Sequence, residues 1–178
     1  NLTSFTAGPN QLTGTVPDSI WSLPKCKTMF LRENQLTGSI PASIACMTRL
    51  TQLQLSSNLL SGMIPENMSA LVNLIKLNLE NNKLSGKISE NIGDLVKLES
   101  LWLNENKFTG YIPANISKLT KLKNVQIRDN ELSDSIPATI SKLTKLENLD
   151  LRGNRLSGSI PATISKLTKL ERLYLQGN

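Results

Sequence analysis

Residues 50–74, LTQLQLSSNLLSGMIPENMSALVNL, contain one complete unit of a pattern that fills the whole chain of 178 residues. The unit has the frame L-x-x-L-x-L-x-x-N-x-L-x-G-x-I-P-x-x-I-x-x-L-x-x. Its asparagine recurs every 24 residues, at Asn10, Asn34, Asn58, Asn82, Asn106, Asn130, Asn154 and Asn178. A fixed period of this length is typical of stacked structural repeats, so we expect a solenoid that forms a single domain over residues 1–178.

Each part of the unit predicts a local structure. Leu53-Gln54-Leu55 alternates apolar and polar residues, which indicates a short strand with one buried face. Strands stacked at a common period form one parallel sheet, with one strand per repeat and about eight in all. The leg that returns to the next strand, such as residues 137–146, spaces its apolar residues by three, which favours a short 3₁₀ segment over an α-helix. We expect irregular loops around these segments.

The recurring asparagine and glycine mark the turn after each strand. An asparagine amide both donates and accepts hydrogen bonds, so a ladder of the eight asparagines can satisfy backbone groups that no strand partner reaches. Glycine follows four residues later, where positive φ is expected, and Asp134 replaces it once. A proline column follows, and only Ser89 breaks it.

The frame L-x-x-L-x-L-x-x-N-x-L-[ST]-G-x-I-P resembles the plant-type subclass of leucine-rich repeats over essentially all of residues 1–178. The resemblance implies an α/β-type solenoid, a curved right-handed horseshoe with the parallel sheet on its concave face. Similar repeats form the ectodomains of plant receptor kinases and the polygalacturonase-inhibiting proteins, which implies an extracellular or cell-surface location. Neither end carries the polar cap or paired cysteines usual in secreted members, so we expect a fragment that lacks both caps.

Three columns of variable residues should point out from the concave face. Aromatic and arginine side chains are the usual anchors of protein interfaces, and Phe30, Trp102 and Tyr174 share one column beside several arginines. The predicted ligand-binding residues are Phe30, Arg32, Gln54, Lys76, Glu80, Trp102, Asn104, Arg128, Asp150, Arg152, Arg172 and Tyr174. The alternative is a solvated face that varies by neutral drift and has no specific partner.

A second surface carries much of the net charge of +6. Its basic column consists of Lys25, Arg49, Lys97, Lys121, Lys145 and Lys169, joined by Lys118, Lys142 and Lys166. Such a stripe could bind an anionic polysaccharide, a phosphorylated surface or membrane headgroups. The alternative is that the lysines only keep this face solvated and have no partner. Residues 140–146 and 164–170 share the sequence ISKLTKL, which indicates that one soluble repeat was duplicated together with its lysines. The column lacks interleaved aromatics, so nucleic acid is not a predicted partner.

Other function classes find little support in the sequence. The chain has no histidine, the commonest general base and metal ligand, and we predict no catalytic residues, metal site or cofactor. Glu80 and Asp150 lie three coils apart, roughly 14 Å at sheet spacing, which is too far for a glycosidase pair. Ice binding requires flat, regular rows of small polar residues, whereas the concave columns mix large and charged side chains.

Cysteines and glycosylation motifs add weak evidence. Cys26 replaces an inward leucine and Cys46 occupies an outward position, too far apart to bridge, so both are predicted to be free thiols. The motifs at Asn1, Asn67 and Asn115 would accept glycans if the chain is secreted, and the last two fall on return legs.

The sequence therefore predicts a non-enzymatic recognition module whose concave sheet binds a protein or peptide. One alternative, implied by the resemblance, is an inhibitor of a cell-wall-degrading glycosidase. The other is a structural scaffold subunit in a larger assembly.

Overall fold

The computed structural model describes all 178 residues, and its fourteen strands, numbered along the chain, fall into a main sheet and a set of shorter ladders. The main sheet has eight parallel strands, which confirms the predicted count. Neighbouring strands pair 24 residues apart, as Val125 does with Leu149. In order across the sheet they are β1 (Ser4–Thr6), β3 (Thr28–Phe30), β5 (Gln52–Gln54), β7 (Lys76–Asn78), β9 (Ser100–Trp102), β11 (Asn124–Gln126), β13 (Asn148–Asp150) and β14 (Arg172–Tyr174).

The other six strands follow the asparagine turns, and the repeat pattern alone does not predict them. They are β2 (Thr13–Thr15), β4 (Gln35–Thr37), β6 (Ser61–Gly62), β8 (Lys83–Lys87), β10 (Lys107–Gly110) and β12 (Glu131–Leu132). β6, β8, β10 and β12 form a second parallel sheet, and β2 pairs with β4. This leg of each coil is therefore regular in much of the solenoid, where loops were expected.

The return legs form seven short 3₁₀ segments, which confirms the spacing-based prediction. They are η1 (Ile20–Ser22), η2 (Ala42–Cys46), η3 (Glu66–Ala70), η4 (Glu90–Asp94), η5 (Ala114–Lys118), η6 (Ala138–Lys142) and η7 (Ala162–Lys166). Where Ser89 breaks the proline column, its Oγ accepts a hydrogen bond from the backbone N–H of Asn91 at 3.2 Å. A side-chain cap thus replaces the proline ring at the start of η4.

The frame leucines and their equivalents form one continuous core of 39 buried residues between the main sheet and the return legs. Cys26 lies in this core, where burial raises the pKa of its thiol, whereas Cys46 is exposed on η2, and both thiols are free. None of the helical segments has the length and apolarity that crossing a membrane requires.

The asparagine amides lie inside the turn and bond to two coils at once. The Oδ1 atom of Asn82 accepts a hydrogen bond from the backbone N–H of Leu60 at 3.0 Å. Its Nδ2 atom donates to the carbonyl of Leu55 in the preceding coil at 3.0 Å, and to those of Leu79 and Glu80 in its own coil. Five others repeat all four bonds, namely Asn34, Asn58, Asn106, Asn130 and Asn154.

The two ends of the ladder differ from its middle. Asn10 is exposed and its side chain makes one hydrogen bond, from Nδ2 to the carbonyl of Ala7 at 3.2 Å. Asn178 is also exposed, but its Oδ1 atom accepts from the backbone N–H of Leu156 and its Nδ2 atom donates to two carbonyls. The ladder thus stabilises the interface between successive coils, because each full member bonds to the coil before it.

Candidate functional site: the concave face

The middle column of the concave face consists of the residues between the two strand leucines of each coil. Trp102 on β9 pairs in register with Asn78 on β7 and with Gln126 on β11, so the column runs straight across the sheet. Phe30, Trp102 and Tyr174 are all half-buried, but each lies three strand positions from the next, with two strands between them. At sheet spacing that separation is roughly 14 Å, so the three aromatics do not form one cluster.

An arginine cluster lies toward the C-terminal side of this face and consists of Glu105, Arg128, Asp129, Asp150, Arg152 and Tyr174. Arg128 donates from Nη2 to Oε1 of Glu105 at 2.6 Å and from Nη1 to Oδ2 of Asp129 at 2.5 Å. Arg152 donates from Nε and Nη2 to the two carboxylate oxygens of Asp150, at 2.9 and 2.6 Å. The Arg152 guanidinium carbon also lies 4.8 Å from the ring centroid of Tyr174, close enough for a cation–π contact.

Asp150 connects the two arginines. Its Oδ2 atom is 4.0 Å from Nε of Arg128 as well as 2.6 Å from Nη2 of Arg152. The hydrogen bond to Asp150 raises the pKa of Arg152. Partial burial works to lower the pKa of Arg128, but the bonds to Glu105 and Asp129 outweigh it, so that pKa is raised too. Both guanidinium groups are therefore firmly cationic and held by carboxylates that a ligand would have to replace.

Two of the predicted ligand-binding residues are not exposed as expected. Asp150 is only 4% exposed, because the bidentate Arg152 guanidinium covers its carboxylate. Asn104 is 0% exposed. Arg128 reaches back from the next coil to Glu105, the residue that follows Asn104, and so extends over the coil that contains Asn104.

The side chain of Asn104 has a second unusual property. Neither its Nδ2 nor its Oδ1 atom has a hydrogen-bond partner in the protein. An unsatisfied buried polar group costs about 1–3 kcal/mol, so this amide stores free energy that a suitable partner would recover. One donor and one acceptor on the same amide are complementary to the carbonyl and N–H of a peptide group.

The remaining predicted residues lie on the face but outside the arginine cluster. Arg32 and Arg172 are exposed and pair with the adjacent Glu33 and Glu171 at 3.7 and 3.6 Å, contacts that contribute little in solvent. Lys76 is exposed, while Gln54, Glu80 and Phe30 are half-buried. The structure therefore concentrates the charged network on strands β9 to β14 and leaves the N-terminal part of the face without one.

Glu105 and Asp129 belong to the cluster although they are absent from the predicted residues. They occupy the position before the ladder asparagine, where φ is positive: 56° at Glu105 and 54° at Asp129. Five non-glycine residues share this conformation, at Glu33, Ser57, Asn81, Glu105 and Asp129, and glycine takes the position at Gly153 and Gly177. The sequence could have predicted this contribution, because the acidic residues of this column are adjacent to the arginines of the concave columns.

Comparisons with known proteins agree with this geometry. A family model described as leucine rich repeat matches residues 1–60 and 120–178, and a second model of the same description matches residues 73–95 and 97–119. No curated protein sequence matches the chain. The structure of a plant peptide hormone receptor, RGFR1 in complex with RGF2, is 35% identical with a TM-score of 0.96, and the match covers 97% of this chain and 28% of that one.

Two further solved structures are similar. The LRR ectodomain of the plant membrane receptor kinase GASSHO1/SCHENGEN3 from Arabidopsis thaliana, in complex with CASPARIAN STRIP INTEGRITY FACTOR 2, is 33% identical with a TM-score of 0.81, over 99% of this chain and 24% of that one. A plant ice-binding protein is 32% identical with a TM-score of 0.88, over 98% of this chain and 56% of that one. The chain thus spans about a quarter of the receptor structures and about half of the ice-binding protein.

Proposed function

Because this chain belongs to the leucine-rich repeat family, we propose that it is a non-catalytic recognition module that binds a peptide or protein on its concave face. The observation that carries the proposal is the unpaired, fully buried amide of Asn104 beside Trp102 and Arg128. The similarity to plant receptors solved in complex with a peptide hormone supports it.

The geometry suggests how a peptide binds. An extended segment that crosses β9 and β11 supplies both hydrogen-bond partners that Asn104 lacks, and its side chains contact the half-buried Trp102. Arg128 has to move outward first, and its two ion pairs to Glu105 and Asp129 are partly solvated. Their loss is therefore tolerable, because ion pairs in partly exposed positions contribute little net free energy.

We place the protein outside the cell or on its surface, in line with its likeness to a receptor ectodomain. Asn67 lies exposed on η3 and donates from Nδ2 to the Ala42 carbonyl at 2.8 Å, and Asn115 lies on η5. Both sit on the return legs, opposite the main sheet. Glycans at these residues would leave the concave face open, which makes glycosylation compatible with ligand binding.

The inhibitor and scaffold alternatives have no comparable observation in their favour, whereas ice binding has the similarity to a plant ice-binding protein. Neither inhibition of a cell-wall-degrading glycosidase nor a scaffold role is favoured by a particular contact of this structure. Ice binding would need several regular polar rows. One row of hydroxyls runs from Thr13 to Ser157 along this leg of the coils, but large side chains interrupt the neighbouring column at Met63, Lys87 and Tyr111.

A selection from a displayed library of random peptides tests the proposal. Peptides enriched on the wild-type chain should lose at least tenfold in affinity for the double variant Trp102→Ala, Arg128→Ala, because the aromatic anchor and the adjacent cation are both removed. The matched control is Tyr111→Ala, Lys87→Ala, which removes an exposed aromatic and a cation from the second sheet. Enriched peptides that bind the concave variant as tightly as the wild type would refute the concave site.

A further inference from the structure

Six exposed lysines form two rows on the last three return legs. In the first of these coils the core positions recur every three residues, at Ile116, Leu119 and Leu122. Lys118 ends η5 and Lys121 lies three residues later in the turn that follows, and both side chains are exposed. The same pair recurs in each of the next two coils, and we name the set the lysine lattice: Lys118, Lys121, Lys142, Lys145, Lys166 and Lys169.

The lysines of the lattice form no ion pair within the protein, although Lys121 and Lys145 interact at longer range with Glu99. None of the eight ion pairs in the structure contains a lattice lysine. Two nearby carboxylates are engaged elsewhere, since Glu99 binds Lys123 at 2.8 Å and Glu171 lies 3.6 Å from Arg172. The chain has 20 basic and 14 acidic residues, so without these six lysines it would have 14 of each. The charge of the six lattice lysines is therefore equal to the whole net charge of +6.

The lattice has a definite N-terminal boundary, so the basic column is not one uniform stripe. In the preceding coil Asp94 occupies the column of Lys118. Lys97 occupies the column of Lys121, but its Nζ atom donates to Oδ1 of Asn73 at 2.7 Å. Farther back, Lys25 is bonded in the same way to Asn1 at 2.8 Å. The paired rows of lysines are thus confined to the coils of η5, η6 and η7, and Arg49 is the one member of the basic column farther back that has no side-chain partner.

A row of hydroxyls accompanies the two rows of charge. Thr120, Thr144 and Thr168 each stand between the two lattice lysines of their coil, are exposed, and make no side-chain hydrogen bond within the protein. In the two preceding coils this column holds Val72 and Val96, both exposed. The change from valine to threonine coincides with the boundary of the lattice, so charge and hydroxyl groups change together.

We propose that the lysine lattice is a binding site for a linear polysaccharide that carries a carboxylate on each sugar. The coils stack at about 4.8 Å or slightly more on this outer side, a step comparable to the length of one sugar unit. Ammonium groups act as point charges without the planar geometry that arginine requires, which suits carboxylates spaced along a polymer. The threonine hydroxyls, which donate and accept, fit the hydroxyl groups of the sugars.

A membrane surface fits the lattice less well. Helices that bind at the membrane interface combine basic residues with large apolar side chains that enter the lipid. The lattice coils place threonine between their lysines, and the exposed valines lie outside the boundary. The concave site and the lattice occupy opposite sides of the coil, so this inference does not depend on the proposed peptide binding.

Binding of de-esterified polygalacturonate, measured at several salt concentrations, tests the inference. The lattice variant is Lys118→Gln, Lys142→Gln, Lys166→Gln. The matched control is Lys83→Gln, Lys87→Gln, Lys107→Gln, three exposed lysines of the second sheet, which lowers the net charge by the same amount. We expect the lattice variant to lose at least tenfold in affinity and the control to stay within about twofold. The slope of log affinity against log salt should fall by about half in the lattice variant, since three of six contacts are removed.

Three outcomes would overturn the inference. Equal losses of affinity in the lattice variant and the control would show that the polymer is attracted by the net charge of the protein and not by a specific site. Equal binding of the fully methyl-esterified polymer would show that the carboxylates are not recognised. Binding of the wild type to vesicles of anionic phospholipid without binding to polygalacturonate would identify a membrane as the partner. Because all six substituted lysines are exposed, both variants should fold, which thermal unfolding would verify.

Discussion

The guanidinium of Arg128 reaches back one coil and donates to the carboxylate of Glu105 at 2.6 Å, in the turn that begins directly after Asn104. This contact joins two coils across the concave face, next to the Asn104 amide, which has no hydrogen-bond partner within the protein. The same arginine approaches Asp150 in the following coil, with Nε 4.0 Å from Oδ2. Arg128 therefore links three successive coils, and a ligand that displaces it changes the contacts of all three.

Replacing Asn104 with leucine should stabilise the free protein. The substitution removes a buried amide with two unsatisfied atoms and inserts an apolar side chain of similar size, so we expect a gain of about 1–2 kcal/mol in the free energy of unfolding. Urea denaturation measures this gain. The same variant should bind the selected peptides more weakly. A loss of stability would contradict the claim that Asn104 is unsatisfied in the free protein.

Replacing a central ladder asparagine should have the opposite effect. Asn82→Ala removes four hydrogen bonds and leaves the buried N–H of Leu60 without a partner, whereas the carbonyls of Leu55 and Leu79 keep the amides of Asn58 and Asn106. We expect a loss of about 2 kcal/mol, because one buried donor becomes unsatisfied and the other bonds of the amide are lost with it. Asn10→Ala is the matched control, since that exposed side chain makes one bond and its loss should cost under about 0.5 kcal/mol. Equal effects of the two substitutions would exclude the proposed role of the ladder.

Alanine substitutions at two glycines distinguish the effect of backbone strain on stability from the effect of a contact with the arginine cluster on binding. Gly153 and Gly158 both have positive φ, 60° and 75°, where an alanine costs about 1–2 kcal/mol. At Gly153 an added Cβ atom would also approach Oδ1 of Asp129, the carboxylate bonded to Arg128. Gly153→Ala should therefore destabilise the fold and alter peptide affinity, whereas Gly158→Ala should only destabilise it. Denaturation of both variants measures the loss of stability, and titration with the selected peptides measures the affinity. An unchanged affinity in Gly153→Ala would show that Asp129 is not part of the binding site.

The pKa of Glu99 offers a test by titration. The hydrogen bond from Lys123 is the main reason that this pKa lies below the ordinary value of 4.5, and Lys121 and Lys145 contribute smaller Coulombic effects. The pKa of Glu99 is lower in the folded protein than in the unfolded chain. Ionised Glu99 therefore stabilises the fold at a pH above its unfolded pKa, and this stabilisation is lost as the pH falls through its folded pKa. Lys123→Met should raise the Glu99 pKa, as measured by NMR of its carboxyl carbon, and Lys121→Met should raise it less. A larger effect from Lys121→Met would contradict the observed pairing.

The features that the sequence predicts correctly are those that the repeat frame determines. Leucines at fixed positions specify the inward face, and the 24-residue period specifies the strand register, as with Val125 and Leu149. The second sheet escapes prediction because a segment such as Ser61–Gly62 is too short to show an alternating pattern. Its strands form only when coils stack.

The burial of Asn104 and Asp150 escapes prediction for a different reason. It depends on how neighbouring side chains pack, as where Arg152 pairs with both carboxylate oxygens of Asp150. Column position gives the direction in which a side chain leaves the sheet but not what covers it. Column position likewise does not predict that Lys97 donates a hydrogen bond to Asn73, which distinguishes it from the lysines of the lysine lattice.

The fluorescence of Trp102 tests the central claim most directly. The chain has two tryptophans, and Trp21 is only 1% exposed in the core, so a ligand on the concave face should change the emission of Trp102 alone. Titration with a selected peptide should shift the emission to shorter wavelength with the dissociation constant found by calorimetry, and the shift should vanish in Trp102→Phe. Calorimetric binding that leaves the Trp102 emission unchanged would contradict recognition on the concave face.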